Sequence, residues 1–142
     1  MPAASDADLV IHIDGGSRGN PGEAGFGVYV EASDGTVTEL YGFIGRATNN
    51  VAEYQALLHA LRHALDRGAR TVALYSDSEL VVKQLAGEYK VKHPAMLPLY
   101  QEAKALWRRF DRVSFAHVRR EQNRDADRLA NRAMDEQASK LD

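Results

Sequence analysis

Apolar and polar positions change period several times along the chain, and each change marks an element. Leu9-Val10-Ile11-His12-Ile13 is a β-branched run halted by Asp14-Gly15-Gly16, which predicts a buried strand. Ser17 to Gly25, with Asn20-Pro21-Gly22 inside it, has the composition of a turn-rich loop. Phe26 to Ala32 and Thr36 to Ile44 predict two strands around the hairpin signal Ser33-Asp34-Gly35. From Val51 the spacing lengthens: Ala52, Ala56, Leu57, Ala60, Leu61, Ala64 and Leu65 fall on one face of a helix that ends near Gly68. Thr71 to Tyr75 is a fourth strand, and Ser78 to about Leu85 a short helix ended by Gly87. Gly87 to Pro94 is a connector. Met96, Leu99, Tyr100, Ala103, Leu106, Trp107 and Phe110 return to helical spacing. Val113 to Val118 alternates as a fifth strand. A last helix beginning near Asn123 turns Ala126, Leu129, Ala130, Ala133 and Met134 inward.

The order βββ-α-β-α-α-β-α contains no repeat, low-complexity segment or linker. An antiparallel opening followed by strands alternating with helices predicts an α/β fold, a five-stranded mixed sheet flanked by helices. At 142 residues the chain is expected to form one domain over 1–142. Residues 1–7, extending to Asp8, are expected to be a disordered lead-in.

Composition narrows the chemistry. Without cysteine there are no disulfides or thiolate metal sites, so any metal must sit on oxygen or imidazole ligands. The absence of cysteine also fits a reducing, cytoplasmic location. No run of ~18 apolar residues and no charged-then-apolar leader occurs, so neither a membrane span nor a signal peptide is expected. Net charge is −2, but its distribution is uneven. Lys104 to Arg132 holds nine Lys/Arg against four Asp/Glu, whereas residues 1–60 hold eight acids and only Arg18 and Arg46. An acidic half beside a basic third suits a cation site next to a phosphate-attracting flank. A helix surface of solvated arginines suits the same count.

Four acids stand at predicted element ends, where open α/β sheets gather their ligand-binding groups. Asp14 closes the first strand, Glu53 lies in the first turn of the first helix, and Asp77 follows the fourth strand. Asp127 lies in the first turn of the last helix. Each has an ordinary structural alternative. Asn50-Val51-Ala52-Glu53 and Ser76-Asp77-Ser78-Glu79 fit capping boxes, Asp127 suits a helix N-terminus, and Asp14 before two glycines suits a turn. Taken together the alternatives weaken. The first and fourth strands are plausible neighbours, which would set Asp14 and Asp77 side by side. Clustered carboxylates are tolerated when a cation binds between them, and hard oxygen ligands select Mg²⁺ or Mn²⁺.

These residues resemble the motifs of type 1 ribonuclease H. Ile13-Asp14-Gly15-Gly16-Ser17, running into Gly19-Asn20-Pro21-Gly22, is similar to the opening motif. Thr48-Asn49-Asn50-Val51-Ala52-Glu53 resembles its T-N-N-x-x-E segment, Ser76-Asp77-Ser78 its third motif, and Asp125-Ala126-Asp127-Arg128-Leu129-Ala130 its last. The likeness runs over residues 8 to 136 in the family's order. It implies the ribonuclease H-like fold and an endoribonuclease that hydrolyses the RNA strand of RNA/DNA hybrids. By resemblance Asp14, Glu53, Asp77 and Asp127 are catalytic and bind two Mg²⁺ or Mn²⁺ ions. One ion would activate the attacking water and the other would steady the leaving 3′ oxygen, giving 5′-phosphate and 3′-hydroxyl ends. Asn20, Asn49 and Asn50 match substrate-groove positions and Thr48 a phosphate contact. Turn and cap roles are their alternatives. A monomer is expected, bound to a hybrid duplex and to no membrane.

The sequence departs from longer family members twice. The segment Val118-Arg119-Arg120-Glu121-Gln122-Asn123 is short and lacks the histidine usual before the last helix, and His117 reads as a packing residue of the fifth strand. Gly87 to Pro94 lacks the family's basic handle, which leaves hybrid binding to Lys83, Lys90, Lys92 and the C-terminal arginines. Three other classes compete: a catalytically weak ribonuclease H-like nucleic-acid-binding module, another metal nuclease on the same fold, and a structural domain whose acids only cap helices. Retention of all four acids weighs against the first, and the T-N-N-x-x-E segment against the second.

Overall fold

The structure, a computed structural model, describes residues 6–141. Its elements run β1 (Leu9–Arg18), β2 (Gly22–Ala32), β3 (Val37–Ala47), α1 (Asn49–Asp66), β4 (Thr71–Ser76), α2 (Glu79–Leu85), α3 (Leu97–Trp107), β5 (Arg112–His117) and α4 (Arg124–Glu136), with a 3₁₀ turn at Arg120–Gln122. The five strands make one sheet in the order β3-β2-β1-β4-β5. β1, β2 and β3 pair antiparallel, while β1, β4 and β5 pair parallel, so the sheet is mixed as the element order predicts.

Alternation along β1 decides which face meets which helix. Leu9, Ile11 and Ile13 are buried, facing the core that holds Tyr54, Leu57, Leu58 and Leu61 of α1. α1 packs on this face and α3 packs against α1, with Trp107 reaching Phe115 of β5. Leu57 has no exposed surface, and truncating it to alanine would cost about 2–5 kcal/mol. A polar pair carried into this layer is satisfied, the Tyr54 hydroxyl donating to Gln84 Oε1 at 2.6 Å. On the opposite face α4 lies across β1, β2 and β3, with Leu129 and Ala133 against Tyr41 and Tyr29. Gly27 makes that approach possible: a Cβ there would stand 2.3 Å from the Ala126 carbonyl oxygen.

Several boundaries differ from those the pattern predicts. β1 does not stop at Ile13; it continues through Asp14-Gly15-Gly16-Ser17 to Arg18, paired with Gly27 through Glu23 of β2. The expected loop from Ser17 to Gly25 shrinks to the turn at Gly19–Pro21, because the glycines there serve close approach rather than turning. The α1 cap is Thr48, whose side chain accepts from the Val51 amide at 3.2 Å, so Asn50 is not the cap and Glu53 falls beyond the first turn. The capping-box explanation of Glu53 is therefore removed. Ser78, not Ser76, caps α2. Of the expected lead-in, residues 1–5 lie outside the described residues. Asp8 is tied down, its carboxylate accepting from the Arg70 and Thr71 amides at 2.8 and 3.2 Å. Among the described residues no helix is long and apolar enough to cross a membrane.

Candidate active site

β1 and β4 run parallel as far as the pair Ile13–Ser76. The next residue after each is an aspartate, so Asp14, midway along β1, and Asp77, just past β4, emerge side by side where the parallel pairing ends. Glu53 reaches the same point from α1. Gly15 allows this, since a Cβ on it would lie 2.3 to 2.4 Å from the Ala52 carbonyl and the Glu53 nitrogen. With that Cβ absent, the Gly15 amide donates to Glu53 Oε2 at 2.8 Å, and the buried Ser76 hydroxyl donates to Glu53 Oε1 at 2.7 Å. Glu53 is only 3% exposed and both its oxygens are held. One carboxylate oxygen from each of Asp14, Glu53 and Asp77 lies within 4.8 Å of the others.

This crowding opposes charge. Burial, then the neighbouring Glu53 and Asp77, push the Asp14 carboxyl up to about 9. Burial pushes Glu53 up to about 8, against the lowering effect of its bonds from Ser76 and Gly15. Asp77 is raised by burial and by Asp127, with Arg120 opposing. Asp127 adds to the upward push on Asp14, while Asp14 works to lower Asp77. The donors are all carboxylate oxygens, with no nitrogen or sulfur among them, and their mutual repulsion is the condition a divalent cation relieves. The residues thus fit Mg²⁺ or Mn²⁺ as hard-cation ligands.

Asp127 stands outside the tight triad, half-exposed, with Arg120 Nη2 at 3.9 Å from its Oδ1. Asp14, Asp77 and Asp127 open onto a cleft of about 790 Å³ that also meets Asn49, Arg18, His117, Arg119 and Arg120. Asn49 is exposed on this cleft, its Oδ1 taken by the Ser17 amide at 2.8 Å, which leaves the Nδ2 donor for a ligand. Asn20 supports Asn49 from behind, its Oδ1 accepting the Asn49 amide at 3.1 Å. Thr48 is occupied as the cap, and Asn50 follows in the first turn of α1. Lys83 is elsewhere, on α2, bridged to Glu79 at 2.7 Å and set over the Tyr89 ring. His117 is exposed and lines the cleft, which corrects its reading as a packing residue: it is the last residue of β5, past the cover of the helices.

Sequence reasoning missed Ser76 and Asn123. Ser76 had a visible signal, since a serine ending a β-branched strand beside an acid is a poor core residue unless it bonds something. Of the C-terminal arginines, Arg119 and Arg120 face the cleft. Arg128 is instead paired with Glu39 and Asp125, and Arg132 with Glu136.

Comparison with known proteins follows the same line. The family model described as reverse transcriptase-like matches residues 12–133. A bifunctional protein of Mycobacterium tuberculosis is 51% identical over 129 residues, covering 89% of this chain and 35% of its own length. The solved N-terminal ribonuclease H domain of that protein, fused to maltose-binding protein, superposes with a TM-score of 0.87 over 92% of this chain and 96% of the other. A Halobacterium salinarum protein named ribonuclease HI is 46% identical over 126 residues, 88% of this chain and 63% of its own. LC11 ribonuclease H1, solved in complex with an RNA/DNA hybrid, is 38% identical with a TM-score of 0.85, over 91% of this chain and 98% of that one. The chain spans about a third of the length of the first of these curated relatives.

Proposed function

The chain belongs to the type 1 ribonuclease H family, and on that premise we propose that it is an endoribonuclease hydrolysing the RNA strand of RNA/DNA hybrids. The products would carry 5′-phosphate and 3′-hydroxyl ends. The observation that carries the reading is the carboxylate cluster where the parallel pairing of β1 and β4 ends, whose burial works against its own charge. A binding module has no need of such an arrangement. The hybrid as partner is supported by the bound duplex of LC11 ribonuclease H1.

Asp14, Glu53, Asp77 and Asp127 would hold two Mg²⁺ or Mn²⁺ ions. When bound, such ions lower the pKa of an attacking water and neutralise charge on the leaving oxygen of an in-line displacement. The protein's own groups do the rest. Ser76 and the Gly15 amide fix the Glu53 carboxylate, so the site is organised before anything binds. The free Nδ2 of Asn49 can donate to a 2′-hydroxyl, the group that separates RNA from DNA. Arg119 and Arg120 supply positive charge on the cleft wall for backbone phosphates.

The test is direct. Purified protein with Mg²⁺ or Mn²⁺ should cut the RNA strand of an end-labelled hybrid, leave matched duplex DNA intact, and stop with EDTA. Comparable cleavage of duplex DNA, or no cleavage with either metal, would sink the assignment.

A further inference from the structure

Asn123 occupies the cap position of α4 but does not cap it. Asparagine is among the best caps because its side-chain oxygen can accept an orphan helix amide, and no such bond is made here. The residue is 1% exposed. Its Nδ2 donates across to the Ile13 carbonyl of β1 at 2.8 Å, and its own backbone carbonyl accepts the Asp127 amide at 3.1 Å. Ile13 immediately precedes Asp14. One buried residue therefore grips the main chain next to Asp14 with its side chain and the main chain of Asp127 with its backbone. Meanwhile Oδ1 is buried with no partner among the described residues. A side chain kept for the stability of α4 would turn that oxygen to the helix amides; this one leaves it unsatisfied and spends its donor on β1.

We propose that Asn123 is a positioning residue that sets Asp127 against Asp14, and so governs how fully the fourth carboxylate shares in cation binding. The inference rests on the proposed cation site. It also explains how the triad, fixed by strands and α1, is registered with a carboxylate from α4 across a short turn. Arg120–Gln122 is a single 3₁₀ turn, and Asn123 closes it with its amide on the Arg120 carbonyl at 3.0 Å. The Ile13 bond is the side-chain tether from that closed turn to the sheet.

Asn123→Ser separates the two roles. Serine caps as well as asparagine, but it is too short to reach the Ile13 carbonyl. Mn²⁺ affinity is measured by titration calorimetry on wild type, Asn123→Ser, Asp127→Asn and the double variant, without nucleic acid. Wild type should bind. Asn123→Ser should unfold cooperatively within a few degrees of wild type yet bind Mn²⁺ roughly 10- to 100-fold more weakly, as loss of an outer-sphere support does. With hybrid, kcat should fall and KM should hold. Asp127→Asn should also bind more weakly, and adding Asn123→Ser to it should cost nothing further, because both act through one carboxylate. Asn123→Thr is the second variant and carries the same expectation. Wild-type affinity in Asn123→Ser, losses that add in the double variant, or loss of cooperative unfolding in both capping variants overturns the proposal while the cation site stands. A wild type that binds no Mn²⁺ overturns both.

Discussion

Two aspartates six positions apart show what the fold does to a carboxylate it uses as structure and to one it holds for chemistry. Asp8 precedes β1 at one pole of the sheet. Its exposed carboxylate accepts the Arg70 and Thr71 amides, and those bonds hold it below the usual carboxylate range. Asp14 lies within β1, toward the other pole. Burial and the neighbouring acids push it up to about 9. At Asp8 the fold welcomes the negative charge; at Asp14 it resists it. Residue type is identical, so the difference lies wholly in the neighbours, and it distinguishes structural carboxylates from candidate ligands more sharply than motif position does.

The largest break in that contrast comes from removing a ligand charge while keeping its shape. Glu53→Gln retains an oxygen for the Gly15 amide and an amide donor for Ser76, so folding should survive. Hybrid cleavage should fall roughly 100-fold or more, beyond what loss of an outer-sphere partner costs. A variant with near wild-type cleavage would return Glu53 to the class of Asp8. Next in size is Asp77→Asn. Relief of repulsion should raise the melting temperature of the metal-free protein, and the stabilisation by excess Mg²⁺, which binds the folded state alone, should shrink. Calorimetry with EDTA and with Mg²⁺ checks both; a mutant that melts lower in EDTA while Mg²⁺ shifts both proteins equally means these acids share no cation.

The sequence made the element order and the sheet's mixed character legible, because period changes at Val51 and Thr71 are strong and hairpin signals are local. It also made legible that Asp14 and Asp77 would be neighbours, since parallel strands bring their carboxyl ends together. It misread Gly15 and Gly16 as a strand stop. Composition cannot tell a glycine that turns the chain from one that lets a helix touch the backbone, and only the α1 crossing at Ala52 decides. Glu53 looked like a capping-box member for the same kind of reason: Thr48, Asn49 and Asn50 all suit a cap, and the choice of Thr48 depends on where β3 delivers the chain. Asn123 was illegible as a site residue, since the short turn before α4 sets its placement, and His117 because its exposure depends on where the helices stop covering the end of β5.

A third effect, smaller than either substitution, is the pH dependence of the metal-free protein. Glu53 moves from an ordinary value of 4.5 to about 8 in the folded protein, so the folded state binds a proton that the unfolded state has released. Stability from this group is complete below about 4.5 and is lost as pH rises through about 8. Asp14 extends the loss toward 9. In EDTA the melting temperature of wild type should therefore fall relative to Glu53→Gln across this window, and saturating Mg²⁺ should flatten the fall because the ion replaces the proton. Parallel pH profiles for the two proteins would show that Glu53 ionises freely.

The smallest effect belongs to Asp8, and its sign is opposite. A carboxylate held below its ordinary 3.8 favours the folded state when charged. That contribution is present above about 3.8 and disappears as pH falls through the lowered value. Asp8→Asn keeps an oxygen for the Arg70 and Thr71 amides but loses the charge that strengthens both bonds. Because the group is exposed and screened by solvent, the loss should be a small drop in melting temperature at neutral pH. The drop should vanish in acid, and EDTA or Mg²⁺ should leave it unchanged. Hybrid cleavage should be untouched, since Asp8 and the carboxylates lie at opposite poles of the sheet. Melting curves of wild type and Asp8→Asn from neutral pH into acid give the answer. If the variant is instead stabilised in EDTA, or its Mg²⁺ response changes, the two poles are coupled and the division between structural and ligand carboxylates fails.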